Sequence, residues 1–156
     1  MDTYNMIDFN KKKGFICDMD GVIYHGNRVL PGVAEFIQWL HDENKEYLFL
    51  TNNSGYTPRE LHQKLERLGL DVSEEHFYTS ALATAAFLRD QAPGCSVFAI
   101  GEAGLLNALY DAGITMNDVN PDYVVVGEGR SYSLDTLTKA TNLVWKGAKL
   151  IGANSD

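Results

Sequence analysis

Apolar runs of strand length, alternating with segments of helical period, predict an α/β fold built on parallel sheet. Two observations carry this. The runs GFIC (14–17), YLFL (47–50), VFAI (97–100) and YVVV (123–126) are apolar throughout, as strands between helical layers must be. The segments between them carry stripes of apolar residues with capping signals at their ends. A length of 156 residues suits one domain, or one domain plus part of another.

The first strand, Gly14 to Cys17, ends on Asp18. A helix is predicted over Pro31 to Asn44, with Pro31 in its first turn and Val33, Phe36, Ile37 and Leu40 on one face. Between them, the Gly26-Asn27 pair flanked by β-prone residues predicts a small hairpin within Gly21 to Leu30. The second strand, Tyr47 to Leu50, runs into Thr51. Thr57-Pro58-Arg59-Glu60 opens the next helix with a capping box; Leu61, Leu65 and Leu68 are its stripe, and Gly69 stops it. A brief strand spans His76 to Thr79. Ser80 is expected to cap a helix reaching about Gln91, which Pro93-Gly94 breaks. Then follow a strand at Val97 to Ile100, a helix from Ala103 to Ala112 and a strand at Tyr123 to Val126. A helix capped by Ser133 runs to Lys146, and a last strand spans Lys149 to Ala153. No repeat or low-complexity linker interrupts the pattern. Any domain boundary is expected between Thr79 and Pro93.

Composition narrows the function. Hydrophobic residues make up 45% and charged residues 22%, which is enough apolar material for a packed core. The net charge is −8, from 21 acids and 13 bases. Binding to nucleic acid rests on neutralising phosphates with Lys and Arg. A chain this acidic is therefore expected to bind neither nucleic acid nor an anionic membrane. Lys11-Lys12-Lys13 reads as a solvated tail. Cys17 and Cys95 lack paired spacing and are expected as buried free thiols in a reducing compartment. No run of about 18 apolar residues and no signal-peptide core is visible, so a cytoplasmic location is expected.

The chemistry-bearing residues lie at strand ends. Asp18-Met19-Asp20-Gly21 places two carboxylates at i and i+2 directly after the first strand. Paired carboxylates are hard-oxygen ligands suited to Mg2+, and like charges this close need a cation or a shared proton. Gly21 lets the backbone turn sharply past them. A surface turn is the plainer alternative. The second strand ends in Thr51-Asn52-Asn53-Ser54, whose small hydroxyl and amide groups donate hydrogen bonds of the kind a phosphate oxygen accepts. A polar turn is the alternative there. Ligands of open α/β sheets bind at the carboxyl ends of the strands, which favours reading the two motifs together.

A strand ending in D-x-D-G followed by a strand ending in T-N resembles the haloacid dehalogenase superfamily of phosphotransferases. DMDGVIYHGNRVLPGVAEFI, LTNNSGYTPREL, FYTSALATAAFL, NPDYVVVGEGRSYS and GAKLIGANSD together resemble its NagD-like branch, over residues 14 to 156. The resemblance implies a Rossmann-like parallel-sheet core, incomplete here, in residues 1–84. It implies an α/β cap domain, also incomplete, in residues 85–156. It implies a Mg2+-dependent phosphatase acting on a small phosphorylated metabolite, a nucleoside monophosphate such as UMP, through an aspartyl-phosphate. Asp18 corresponds to the nucleophile and Asp20 to the general acid/base. Asp18 and the backbone carbonyl of Asp20 correspond to the metal ligands. Gly21, Thr51 and Asn52 fall in the phosphate-binding segments, and Asn53 is placed to orient the substrate. Gly127 to Ser131 is a loop beyond a cap strand that can help read the leaving group, and a plain loop is the alternative. His25 is expected in a peripheral or substrate-contacting role, His41, His62 and His76 on the surface, and Tyr132 and Trp145 in packing.

The family's charge-neutralising lysine and its later acidic metal ligand find no counterpart before residue 156, and Asn154-Ser155-Asp156 stands where N-P-D is usual. The chain is therefore expected to be a truncation, or the ordered part of a longer protein. Its first strand would have an unpaired edge, so alone it is expected to associate as a homo-oligomer or swapped dimer and to be a weak catalyst. Two other functions compete: an inactive phosphate-binding or interaction module on the same fold, and a receiver-like domain, against which the hairpin and the T-N motif speak.

Overall fold

The computed structural model describes residues 8–130 and 132–155; Ser131 and Asp156 of the motifs above lie outside them. In chain order the elements are β1 (Gly14–Asp18), β2 (Tyr24–His25), β3 (Arg28–Val29), α1 (Val33–Asp42), β4 (Glu46–Thr51), α2 (Pro58–Arg67), β5 (Phe77–Thr79) and α3 (Ser80–Gln91). They continue with β6 (Ser96–Ile100), α4 (Ala103–Asp111), β7 (Thr115–Met116), β8 (Tyr123–Val126), α5 (Leu134–Trp145) and β9 (Lys149–Gly152). Single 3-10 turns lie at Phe9–Lys11 and Glu74–His76.

The strands form two parallel sheets, ordered β1-β4-β5 and β7-β6-β8-β9, and a separate β2-β3 hairpin. In the first sheet each crossover steps the same way. Right-handed crossovers that step one way lay their helices on one face, and α1 and α2 do share one cluster. Ile37 and Leu40 of α1 and Leu61 and Leu65 of α2 pack there with Phe49 and Phe77. Phe15 meets Trp39 edge-on at 5.3 Å. The opposite face stays open, with Ile16 71% exposed and Leu50 and Tyr78 also exposed. This corrects the expectation of cover on both faces, for β1 at least. The second sheet reverses direction. β6 connects outward through α4 to β7, whereas β8 connects through α5 to β9 on the other side. Accordingly Val97 and Val125 pack with α3 and α4, while Ile100 and Val124 pack with α5.

Local deviations have local causes. α1 begins at Val33 rather than Pro31, because Gly32 takes a left-handed φ of 83° and serves as its N-cap. Thr79, not Ser80, caps α3 by accepting the Leu82 N–H at 3.2 Å. β7 has two residues, both exposed, and offers no apolar run to detect. The capping box at Thr57 and Glu60 forms in full. Trp145 is 86% exposed and Tyr132 exposed, so neither is a core residue. His62 and His76 are half-buried rather than on the surface. The His76 ring stacks on Tyr47 at 3.8 Å and donates from Nδ1 to the Tyr47 carbonyl. Cys17 and Cys95 are free but only partly buried, and burial raises both thiol pKa values. No helix among the described residues is long and apolar enough to cross a membrane.

Candidate active site

β1 and β4 are hydrogen-bonded neighbours, with Asp18 opposite Leu50. Asp18 and Thr51 therefore emerge side by side at the carboxyl edge of the sheet. Asp18 Oδ1 accepts the Met19 N–H at 2.8 Å, which orients the carboxylate. Met19 is fully buried, and its carbonyl accepts the Ile23 N–H at 2.9 Å, folding the chain back immediately after the motif. Gly21 makes this turn with φ 77° and donates to the Tyr24 carbonyl at 2.8 Å. The expected hairpin follows, with Tyr24 opposite Val29, His25 opposite Arg28, and Gly26 at φ 60° in the turn. Asp18 and Asp20 are exposed at this edge, and His25 is exposed on the hairpin. Burial, then the charge of Asp20, pushes the Tyr24 phenol up to about 12.

The loop after β4 is held by its own side chains. Thr51 is buried, and its Oγ1 accepts the Asn53 N–H at 3.1 Å while its hydroxyl hydrogen is still free to donate. Asn53 Oδ1 accepts the N–H groups of Gly55 at 2.8 Å and Tyr56 at 3.1 Å, so its carbonyl end is spent on loop geometry and only its NH2 can face a ligand. Asn52 is exposed, and its backbone carbonyl accepts the Ser80 hydroxyl at 2.7 Å.

A cleft of about 440 Å³ separates this edge from the second sheet. Asp20, Asn52 and Asn53 line one wall, and Val126, Gly127, Glu128, Gly152 and Asn154 line the other. Ser54 joins the walls. It is fully buried, and its Oγ accepts the Glu128 N–H at 2.6 Å. The Gly104 N–H donates to the Gly55 carbonyl at 2.9 Å, and the Glu102 N–H to the Glu128 carbonyl at 3.2 Å. The Tyr132 hydroxyl donates to the Gly127 carbonyl. Sequence reading missed Ser54, which carries no signal beyond membership of the polar run. It also missed Lys64 of α2, whose Nζ sits 3.7 Å from the Tyr24 ring centre. Burial lowers the Lys64 pKa, and the charge of Asp20 opposes that shift.

No group of three or more His, Cys, Asp or Glu placed for a metal ion occurs among the described residues. The two carboxylates still fit Mg2+, which is commonly held by one or two carboxylates with waters and substrate phosphate completing its shell.

The haloacid dehalogenase-like hydrolase family model matches residues 15–115. The chain belongs to this family of haloacid dehalogenase-like hydrolases. Among its relatives within the family, it is 44% identical over 142 residues to the dihydroxyacetone phosphatase of Corynebacterium glutamicum, covering 91% of this chain and 52% of that one. It is 45% identical over 144 residues to the ribonucleotide monophosphatase NagD of Escherichia coli, covering 92% and 57%. The solved Escherichia coli NagD structure superposes with a TM-score of 0.86, over 93% of this chain and 58% of that one, at 45% identity. The 4-nitrophenylphosphatase of Thermotoga maritima gives 0.87 over 95% and 57%, at 33% identity. The chain thus spans little more than half the length of these haloacid dehalogenase-like relatives.

Proposed function

We propose that this chain carries the nucleophile half of a phosphomonoester hydrolase. In this reading, residues 1–84 are part of the hydrolase core and residues 85–156 part of a cap over it. The observation that supports it best is the placement of Asp18 beside Thr51 at one sheet edge, with Asp20 lining a cleft that the second sheet closes.

The chemistry follows from these groups. A carboxylate oxygen of Asp18 attacks phosphorus, and the bond from phosphorus to the leaving oxygen breaks. Asp20 gives that oxygen a proton and later takes one from water. The water attacks the aspartyl-phosphate, the bond to Asp18 breaks, and inorganic phosphate leaves. Thr51 and the backbone of Asn52 hold the phosphoryl oxygens, Gly21 keeps the turn clear of them, and the Asn53 amide orients the substrate. Asp18 and the Asp20 backbone carbonyl would hold Mg2+, which supplies charge neutralisation between carboxylate and phosphate. Nucleoside monophosphates such as UMP, among small phosphorylated metabolites, are the proposed substrates. The Escherichia coli relative is named a ribonucleotide monophosphatase and the Corynebacterium relative a dihydroxyacetone phosphatase.

The test is phosphate release from UMP and p-nitrophenyl phosphate with Mg2+, by this chain and its Asp18→Asn variant. Turnover that falls at least about a thousandfold in the variant is the expected result. Equal turnover in both would overturn the role of Asp18. Absence of turnover in a folded wild-type chain would mean a fragment that needs the rest of the enzyme, or a phosphate-binding module.

A further inference from the structure

We infer that Glu128 selects against phosphate esters whose leaving group carries negative charge. The inference rests on the hydrolase reading above and concerns the same cleft.

The residues opposite the catalytic edge are Val126, Gly127, Glu128, Gly152 and Asn154. Among them the only ionisable side chain is a carboxylate. The cations nearby, Lys64 and Arg130, line adjacent clefts rather than this one. A leaving group that extends from the phosphate toward the second sheet therefore meets Glu128 and amide or apolar groups. A neutral polyhydroxyl or cationic group is accommodated there, and a carboxylate or second phosphate is repelled.

Glu128 is also held firmly enough to discriminate. Its N–H is bound by the fully buried Ser54 hydroxyl, which belongs to the same loop as Thr51 and Asn52. Its carbonyl is bound by the Glu102 N–H, and the preceding carbonyl by the Tyr132 hydroxyl. With the Gly127 N–H, which donates to the Ile100 carbonyl at 2.8 Å, four hydrogen bonds thus fix the backbone at positions 127 and 128, one of them to the phosphate-binding loop itself. A carboxylate on a fixed backbone cannot withdraw by moving its loop. Its side chain alone can swing, toward a cleft that Glu128 shares with Glu60, Glu102 and Arg130, and the ion pairs of the described residues do not include one between Glu128 and Arg130.

The experiment uses three phosphonates that the enzyme cannot hydrolyse and that differ only in terminal charge: aminoethyl-, propyl- and carboxyethylphosphonate. Their dissociation constants for the 156-residue chain are measured by calorimetry with Mg2+. Aminoethylphosphonate is expected to bind tightest and carboxyethylphosphonate weakest. Glu128→Gln should tighten the carboxylate ligand about fivefold and weaken the amine about fivefold, the size expected for unit charges about 8 Å apart in a half-solvated cleft. Propylphosphonate should bind the variant unchanged, which also reports that the site is intact. An unchanged ratio of amine to carboxylate affinity in Glu128→Gln, or a shift in which propylphosphonate moves equally, overturns the inference and leaves the hydrolase reading standing. Failure of every phosphonate and of inorganic phosphate to bind overturns both.

Discussion

Gly104 lies in the first turn of α4, against the loop that follows Thr51 and Asn52. A methyl group added there would stand 2.5 Å from the Ser54 carbonyl oxygen and 2.6 Å from that of Tyr56, with the Tyr56 carbonyl carbon at 2.7 Å. All three are backbone atoms that no rotamer change can move. Gly104→Ala therefore sets two effects against each other. Replacing Gly by Ala in a helix favours folding by up to about 1 kcal/mol. Overpacking against fixed atoms costs about 1–3 kcal/mol, and this site lies at the upper end. Displacing α4 also stretches the Gly104 to Gly55 hydrogen bond, worth about 1 kcal/mol. The expected net loss is about 3 kcal/mol, or a fall of about 1.5 M in the urea midpoint. Asn107→Ala, on the exposed face of the same helix, serves as control and should move stability by less than about 0.5 kcal/mol. Hydrogen exchange should show the Gly104 and Glu128 amides opening more readily in Gly104→Ala. A midpoint at or above that of the wild type would refute the close apposition of α4 and the Ser54–Tyr56 loop.

Two further outcomes follow from the same geometry. Ser54→Ala removes the acceptor of the Glu128 N–H at a fully buried position, so a loss of about 1–2 kcal/mol is expected in urea titration. Faster exchange at Glu128 should accompany it, and slow exchange there would show that the hydrogen bond does not form. Tyr47 is pushed up to about 12 by burial, then by the charges of Asp71 and Glu75. A raised folded-state value means that the unfolded chain loses the proton first. The stabilisation is then whole below about pH 10 and declines as pH rises toward about 12. Tyr47→Phe should flatten that decline, and an unaltered slope would assign the alkaline loss to other groups.

Strand and helix positions were legible because each rests on local chemistry. Continuous apolar runs marked β1, β4, β6 and β8, and Thr57 with Glu60 marked the start of α2 to the residue. The hairpin was legible from Gly26-Asn27, since a two-residue turn with positive φ admits few residue types. β7 was not legible, because two exposed residues carry no period. Trp145 was misread as packing because side-chain size indicates a residue that is able to pack, not whether a neighbour arrives.

The candidate site divides in the same way. Asp18, Asp20, Gly21, Thr51, Asn52 and Asn53 stood out because two polar motifs each followed an apolar strand. That the strands are neighbours, so that Asp18 and Thr51 share an edge, depended on the register of β1 on β4. Gly104 and Glu128 both meet Ser54 from 50 residues or more further along the chain, and no local pattern announces such a contact.

By itself, then, the sequence determined which segments are extended or helical, which residues carry charge and hydrogen-bonding capacity, and which family the motifs resemble. Periodicity, capping and composition act over a few residues and are written locally. Tertiary structure alone decided that α1 and α2 cover only one face of the first sheet, leaving Ile16 exposed, and that Glu128 lines the same cleft as Asp20 and Asn52. Those outcomes depend on the direction in which each crossover steps and on hydrogen bonds between distant loops. Both are properties of how the layers meet, and a residue's own neighbours in the chain do not encode them.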